Sequence, residues 1–256
     1  MSIGKPYRRI TRPNAYLAEY VLDSRYATDR LQLSRAYVNI EKELRNIFNF
    51  IEPDEKNLSA FSFELYSLLL RACTEVELNC KLILEANGAQ PQGRHFTMND
   101  YKKLEVSSKL SKYRVTYKSW RHRTASEELE YVTKEFVPFK NFDATIQQSP
   151  DWYAAYNAVK HNREENLEKA SLENCMNAVA GILVLLYSQF GAQCIVTYGM
   201  NGMYWQVDRE YDLHFDADVI FDITPPLESD WLPDELYDFN WDDLKNDTEP
   251  FDKFQF

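Results

Sequence analysis

The sequence predicts a mostly α-helical bundle with a small β-hairpin excursion and a short β and acidic C-terminal appendage. Apolar residues recur at helical spacing over 28–51, 60–86 and 172–190. Over 113–120 and 131–137, β-branched and aromatic residues alternate as they do in strands. Hydrophobic residues make up 45% of the chain and only seven residues are glycine, so a sizeable ordered core can form.

Turn and cap residues set the predicted order of the elements. The predicted helices cover 14–26, 28–51, 60–86, Asn99 to about Lys112, a stretch from Asp151 through His161, and 172–190. Asn87-Gly88 and Gly191 are typical of helix C-termini, and Ser171 is a typical N-cap. Two or three short strands are predicted over 193–224, with an Asn201-Gly202 turn.

These elements group into four predicted segments. They are an N-terminal arm with a short helix (1–27), a helical bundle (28–190) with its β excursion at about 113–137, a small β appendage (191–227) and an acidic aromatic tail (228–256). Residues 191–256 carry 16 acidic and 3 basic side chains, so the acidity of the chain is concentrated there. Aromatic residues spaced along the tail favour its docking onto the parent domain or onto a partner protein.

A basic segment, 93–123, contrasts with this acidic end, because it holds nine Lys or Arg residues and two acids. Such a segment is either a solvated surface or a surface that meets phosphate groups. The candidate nucleic-acid-binding residues are Lys102, Lys103, Lys109, Lys112, Arg114, Lys118, Arg121 and Arg123.

Several classes of protein are disfavoured by missing patterns. The sequence has no Gly-rich phosphate loop, no Gly-x-Ser-x-Gly motif and no Cys-x-x-Cys pair. The longest apolar run, 178–187, is too short to span a bilayer and predicts a buried helix. We expect no metal site, no cofactor and no membrane association, and the reduced cysteines favour the cytoplasm.

One stretch combines chemically different side chains on a predicted helix. Trp152 and Tyr156 lie four residues apart and share a face, and Asn157 and His161 share the neighbouring face. Histidine transfers protons near neutral pH, and an asparagine one turn earlier is placed to orient it or a substrate. Basic side chains neutralise phosphate charge. The candidate catalytic residues are His161, Asn157, Lys160 and Arg163.

The helix pair 151–190 resembles the motif helix and the following helix of HEPN-type domains, small and often dimeric helical bundles. Many of them are metal-independent ribonucleases of toxin–antitoxin, abortive-infection and CRISPR-associated systems. Their motif is Arg, then usually Asn, Asp or His, then three residues, then His. Asn157 and His161 match this spacing, whereas Tyr156 stands in the place of the arginine. The resemblance implies proton transfer by His161 and orientation by Asn157, with Lys160, Arg163 or a second copy supplying the missing charge.

Two glutamates on the helix 60–86, Glu75 and Glu77, are candidate supporting residues together with Tyr156. A purely structural alternative pairs Asn157 and His161 as buried polar groups, with Glu75 or Glu77 as their partner. In that alternative Trp152 and Tyr156 are core aromatics whose N–H and O–H groups find acceptors.

The sequence therefore supports two functional hypotheses. The first is a HEPN-like RNA-binding protein or metal-independent endoribonuclease effector of a bacterial defence or toxin–antitoxin system, expected to be a homodimer that contacts RNA. The second is a non-catalytic helical interaction module that dimerises or docks a protein partner through 228–256. A further possibility is that the tail covers the basic segment and shields it from nucleic acid.

Overall fold

The fold is mostly helical, as the sequence predicts, with 51% of residues in helices and 13% in strands. The computed structural model describes residues 2–15, 18–124, 126, 128–143, 145–146, 148–195, 206–207, 213–214 and 220–256. Its α-helices are α1 (Arg30–Ile47), α2 (Phe63–Ala86), α3 (Met98–Tyr101), α4 (Leu104–Ser108), α5 (Asp151–His161), α6 (Arg163–Asn166), α7 (Leu172–Phe190) and α8 (Trp241–Leu244). Its strands are β1 (Arg114–Arg123), β2 (Leu129–Phe136), β3 (Gln206–Val207), β4 (Leu213–His214) and β5 (Phe221–Thr224).

Helix α7 is the centre of the bundle and packs against α1, α2 and α5. The Ser171 hydroxyl accepts from Asn174 N at its start, which confirms the predicted cap. The segment Leu172–Gln193 has the length and apolar composition of a membrane span, but 94% of that window is buried inside the protein, as in the core helix of a globular bundle. The predicted buried helix is therefore confirmed.

Helix α2 follows its sequence signals at both ends. The Ser62 hydroxyl accepts from Leu65 N at a distance of 3.1 Å, which satisfies one of the free N–H groups of the first turn. Gly88 ends the helix at φ +82°, a left-handed conformation that glycine adopts without strain. The buried residues between these ends form the stripe that faces α7.

Two predicted helices take a different form. Instead of one α-helix over 14–26, the described part of this region has two 3-10 turns, Pro13–Ala15 and Glu19–Leu22. The stretch from Asn99 to Lys112 divides into α3 and α4, and α4 ends where Lys109 turns left-handed at φ 51°. Thr97, not Asn99, is the cap, because Thr97 and Asp100 form a capping box.

The sheet joins two segments that the sequence predicts as separate, the β excursion and the β appendage. Strands β1 and β2 form the predicted antiparallel hairpin, with a bulge between Tyr117 and Trp120. Strand β5 pairs with the other edge of β1, and the strand order is β2-β1-β5-β4-β3. The boundary predicted at 190/191 therefore does not separate independent units, although short strands in the appendage are confirmed. The Asn201-Gly202 turn lies outside the described residues.

The tail (228–256) packs on the N-terminal arm (2–26), so the boundary at 227/228 does not isolate it either. Ile3 N donates to Leu236 O at 2.9 Å and Asp238 N donates to Ile3 O at 3.0 Å, as in a parallel bridge. Asp252 N donates to Pro6 O at 3.0 Å further along. We call this pairing of arm and tail the arm–tail contact.

A buried arginine lies at the centre of the arm–tail contact. Arg12 is 1% exposed, and its guanidinium donates to the carbonyl oxygens of Glu235 and Ser107. The same guanidinium lies 4.8 Å from the ring centroid of Trp231 and 5.6 Å from that of Tyr237. Cation–π contact of this kind stabilises more strongly when the cation is desolvated.

Candidate functional site

Helix α5 has one packed face and one polar end, as the sequence predicts. Asp151 follows Pro150 and lies in the first turn, where a negative charge interacts favourably with the helix dipole. Trp152 is buried and its Nε1 donates to Pro138 O at 2.8 Å, which confirms its structural role. Lys160 and His161, in the last turn, are exposed. The fold therefore delivers the polar residues of this helix to solvent.

Glu77 of α2 links two tyrosines of α5. Tyr153 Oη donates to Glu77 Oε1 at 2.7 Å, and Tyr156 Oη donates to Glu77 Oε2 at 3.4 Å. Burial raises the pKa of Tyr153, so its hydroxyl stays protonated and keeps donating. Glu77 thus fixes the face of α5 that carries these two rings.

Lys160 is held by the same group of residues. Its Nζ donates to Tyr156 Oη at 2.9 Å and lies 4.8 Å from the centroid of the Tyr156 ring. The hydrogen bond to Tyr156 raises the pKa of Lys160, so the ammonium form is favoured. The positive charge of Lys160 is therefore positioned over the side chain of residue 156.

Asn157 and His161 do not form the buried pair of the structural alternative. His161 is exposed and Asn157 is half-buried, and neither side chain has a hydrogen-bond partner among the described residues. The Glu77 carboxylate instead accepts hydrogen bonds from Tyr153 and Tyr156. The imidazole of His161 is accordingly available to a ligand from solvent.

Arg163, the first residue of α6, lies beside aromatic rings that the sequence pattern does not mark as functional. Its guanidinium carbon is 5.5 Å from the ring centroid of Phe63 and 5.7 Å from that of Tyr66. Phe61 and Phe63 are 51% and 61% exposed. Both lie before the buried apolar stripe of α2, which begins at Leu65. Large aromatic residues outside such a stripe are the sequence signal that could have identified them as exposed. We call Asn157, Lys160, His161 and Arg163 the α5 edge.

Glu75 does not belong to the α5 edge, which corrects its prediction as a supporting residue. It lies two positions before Glu77 and therefore on another face of α2. There it lines a groove of about 330 Å³ between α1 and α2, together with Ile40, Leu70 and Thr74. Burial raises the pKa of the Glu75 carboxyl.

The basic segment is largely neutralised by other parts of the chain. Lys103 pairs with Asp100, Lys109 with Glu235, Arg114 with Glu135, Lys118 with Asp222 and Arg121 with Asp54, while Lys102 donates to the carbonyl oxygens of Ile146 and Gln148. Lys112 and Arg123 are exposed. The segment is therefore less positive in the fold than its composition indicates.

The tail reaches the basic segment at Lys109. Lys109 Nζ is 3.1 Å from Glu235 Oε1 and 5.3 Å from the centroid of the Trp231 ring. Most of the tail's aromatic rings instead pack on the arm, where Tyr20 contacts Tyr237, Phe239, Trp241 and Phe251. The tail therefore docks mainly on the arm and only locally on the basic segment.

The cysteines are placed for packing. Cys73, Cys80, Cys175 and Cys194 are fully buried, and burial raises the pKa of each thiol. A raised pKa disfavours the thiolate that nucleophilic catalysis requires. Within the described part of the chain, no group of three or more His, Cys, Asp or Glu side chains is arranged to hold a metal ion.

The fold and site define a mostly helical protein with a small antiparallel sheet and one polar helix end. Comparison with protein-family models, with curated proteins and with solved structures found no match to this chain. The resemblance to HEPN-type domains therefore stays a prediction.

Proposed function

We propose that this protein binds RNA at the α5 edge and that His161 transfers protons in a metal-independent cleavage of the bound strand. One observation carries the proposal: in the chain, the exposed His161 lies between two exposed cations, Lys160 and Arg163, where α5 ends and α6 begins. Five cations of the basic segment, in contrast, pair with acids of the same chain. Exposed charge is what phosphate groups can reach.

The position of Lys160 supports the catalytic part of this proposal. In the HEPN-like interpretation, Tyr156 replaces an arginine that would stabilise the phosphorane. Since Lys160 Nζ lies 4.8 Å from the centroid of the Tyr156 ring, a positive charge is present beside that position. Loss of one such electrostatic contact typically costs about 3–4 kcal/mol of transition-state stabilisation. We propose Lys160 as the residue that supplies the contact.

The exposed rings next to Arg163 support binding of unpaired bases. Phe61 and Phe63 present aromatic surface to solvent, and Arg163 already lies over the Phe63 ring. Stacking of a base on an aromatic side chain contributes about 1–3 kcal/mol and tolerates every base. We propose that a single strand places its phosphates at Lys160 and its bases at Phe63.

Acids on α6 limit the strength of this binding. Glu164 and Glu165 follow Arg163 directly, and Glu165 accepts from Asn162 Nδ2 at 2.8 Å. Their charge lowers the positive potential of the α5 edge, so stacking has to contribute a large share of the affinity. Because few cations contact phosphate there, we expect the affinity to fall only moderately as salt is raised.

The tail gives the interaction-module hypothesis little support. Trp231, Tyr237 and Phe251 are buried in the arm–tail contact, so their surface is not available to a partner protein. We therefore place the RNA hypothesis first. A HEPN-like bundle and a role in bacterial defence are part of that proposal and rest on the resemblance alone.

A cleavage assay tests the role of His161. Single-stranded RNA is incubated with the protein in EDTA, alongside His161→Ala and the matched control His95→Ala, which removes another exposed histidine. We expect cleavage by the wild type and by His95→Ala, and a loss of at least about 10²-fold in His161→Ala. Equal cleavage by all three would remove His161 from the mechanism. Absence of cleavage by the wild type would overturn the catalytic part and leave binding.

A further inference from the structure

The outer edge of β2 is free of any described strand. In the order β2-β1-β5-β4-β3, β2 is the terminal strand, and it pairs only with β1 among the described residues. It is eight residues long and contains no proline. An edge of this length presents a row of backbone N–H and C=O groups with which another strand can pair.

The side chains of β2 divide between two faces. Phe136 is buried on the face that also carries Val132 and Lys134. Leu129 and Tyr131 lie on the opposite face and are 48% and 62% exposed. The edge therefore combines free backbone groups with apolar surface, which favours association over a solvated edge.

We propose that β2 pairs antiparallel with β2 of a second copy of this chain, about a two-fold axis at Val132. A two-fold axis perpendicular to the sheet places the same face of both copies on the same side. Residues that face each other across the axis therefore have numbers that are both even or both odd. With the axis at Val132, Glu130 faces Lys134 of the second copy, and symmetry repeats this pair. The result is a continuous sheet through both copies.

Charge distinguishes this register from the one centred on the next residue, Thr133. With the axis at Thr133, Lys134 faces Val132 and Glu135 faces Tyr131, so no opposite charges of β2 meet. The axis at Val132 instead sets two Glu–Lys pairs across the dimer, and opposite charges directly across an antiparallel pair stabilise it.

Of the proposed pair, Glu130 is exposed and Lys134 is partly exposed. The Glu130 carboxylate is exposed and has no ion-pair partner among the described residues. Lys134 Nζ is 2.9 Å from Glu55 Oε2 and 5.3 Å from the centroid of the Trp120 ring. An ammonium group has three N–H donors, so Lys134 can bind a second carboxylate without releasing Glu55.

Charge reversal with rescue tests the register, measured by sedimentation equilibrium of the full chain up to high micromolar concentration. Glu130→Lys or Lys134→Glu alone should weaken dimerisation about tenfold or more, since two attractive pairs become repulsive. The double variant Glu130→Lys/Lys134→Glu should recover most of the affinity. Rescue would also exclude a folding defect as the cause of weaker dimerisation, because the double variant still lacks the Lys134–Glu55 pair. A monomer at every concentration, or single variants that dimerise like the wild type, would overturn the proposal.

A disulfide test probes the axis itself. Val132→Cys should give a cross-linked dimer on mild oxidation, because residue 132 faces its own copy; the four native cysteines are buried and give little background. Thr133→Cys is the matched control, since two diagonal residues are about 7–8 Å apart. Equal cross-linking of both variants would place the axis elsewhere. Pairing with a different extended chain would show as a 1:1 mixed complex without Val132→Cys cross-links, and this would also overturn the proposal.

Discussion

Arg12 and Arg163 both lie against aromatic rings, and their surroundings give them different roles. Arg12 is 1% exposed, and rings of both the arm and the tail surround its guanidinium. Arg163 is exposed, and the Phe63 ring beneath it is 61% exposed. Contact between an arginine and aromatic rings thus joins the arm to the tail in one region. In the other region, the arginine and the ring beneath it remain exposed to a ligand.

The two regions also differ in the surroundings of their polar groups. Arg12 and Tyr237 are buried among partners in the chain, although Arg12 Nε has none, whereas His161 is exposed. In the arm–tail contact, the guanidinium of Arg12 donates to two carbonyl oxygens, and Tyr237 Oη donates to Ile10 O at 2.9 Å. At the α5 edge, His161 and Asn157 have no hydrogen-bond partner among the described residues. Buried polar groups that find partners stabilise a fold, whereas exposed ones without partners can bind something else.

The largest effect is expected from the centre of the arm–tail contact. Tyr237→Ala removes a buried ring that contacts Tyr7, Tyr20 and Phe239. It should lower the free energy of unfolding by about 3–5 kcal/mol, as for other buried aromatic residues. Chemical denaturation measures this loss. Leu232→Ala, a 63% exposed position of the same tail, is the control and should change stability by less than about 0.5 kcal/mol. Equal losses would mean that the arm–tail contact does not stabilise the fold.

An intermediate effect is expected at the base of the α5 edge. Glu77→Ala leaves the hydroxyls of Tyr153 and Tyr156 without their acceptor. Because both tyrosines are buried, the variant should lose about 1–3 kcal/mol of stability, measured as a shift of the urea midpoint at constant slope. Glu85→Ala removes an exposed pair with Lys81 and should cost at most about 0.5 kcal/mol. If the two variants unfold alike, Glu77 does not hold α5.

The smallest effect depends on pH and concerns Glu75, in the groove between α1 and α2. Burial raises the pKa of this carboxyl in the folded state, so ionisation costs stability as pH rises through the raised pKa. Glu75→Gln should therefore match the wild type at about pH 3.5, where the carboxyl is protonated in both states, and exceed its stability at about pH 7. Denaturation curves at both pH values measure the difference. Glu168→Gln, at an exposed position, should change neither; a Glu75→Gln variant less stable at neutral pH would contradict the assignment.

Local patterns predicted the helices well because they act within a few turns of chain. The ends of α7 are marked by Ser171 and Gly191, and the end of α2 by Gly88. Ser171 acts through a hydrogen bond to a near neighbour, and the two glycines act through their backbone geometry. The exposure of His161 follows from its place at the end of α5, beyond the packed face. Capping and periodicity are local effects, so a single sequence contains them.

Long-range contacts were not predictable in the same way. Tyr237 Oη donates to Ile10 O although most of the sequence separates the two residues. Strand β5 likewise pairs with β1, although α5 and α7 lie between them in the sequence. Such pairings depend on which surfaces remain after the helices pack, and composition does not specify this. The pairing of basic residues such as Arg121 with Asp54 is also long-range, which explains why the segment 93–123 indicated more positive charge than the fold exposes.

The affinity of two paired variants for single-stranded RNA tests the central claim most directly. Lys160→Ala/Arg163→Ala removes two exposed cations of the α5 edge, and Lys112→Ala/Arg123→Ala removes two exposed cations of the basic segment. Fluorescence anisotropy over a range of salt concentrations should show an affinity loss of about tenfold or more for the first variant. Its salt slope should also fall by about 1.4, because each phosphate contact of a single strand contributes about 0.7. The second variant should bind within about twofold of the wild type. The opposite ranking would contradict the α5 edge as the RNA-binding surface.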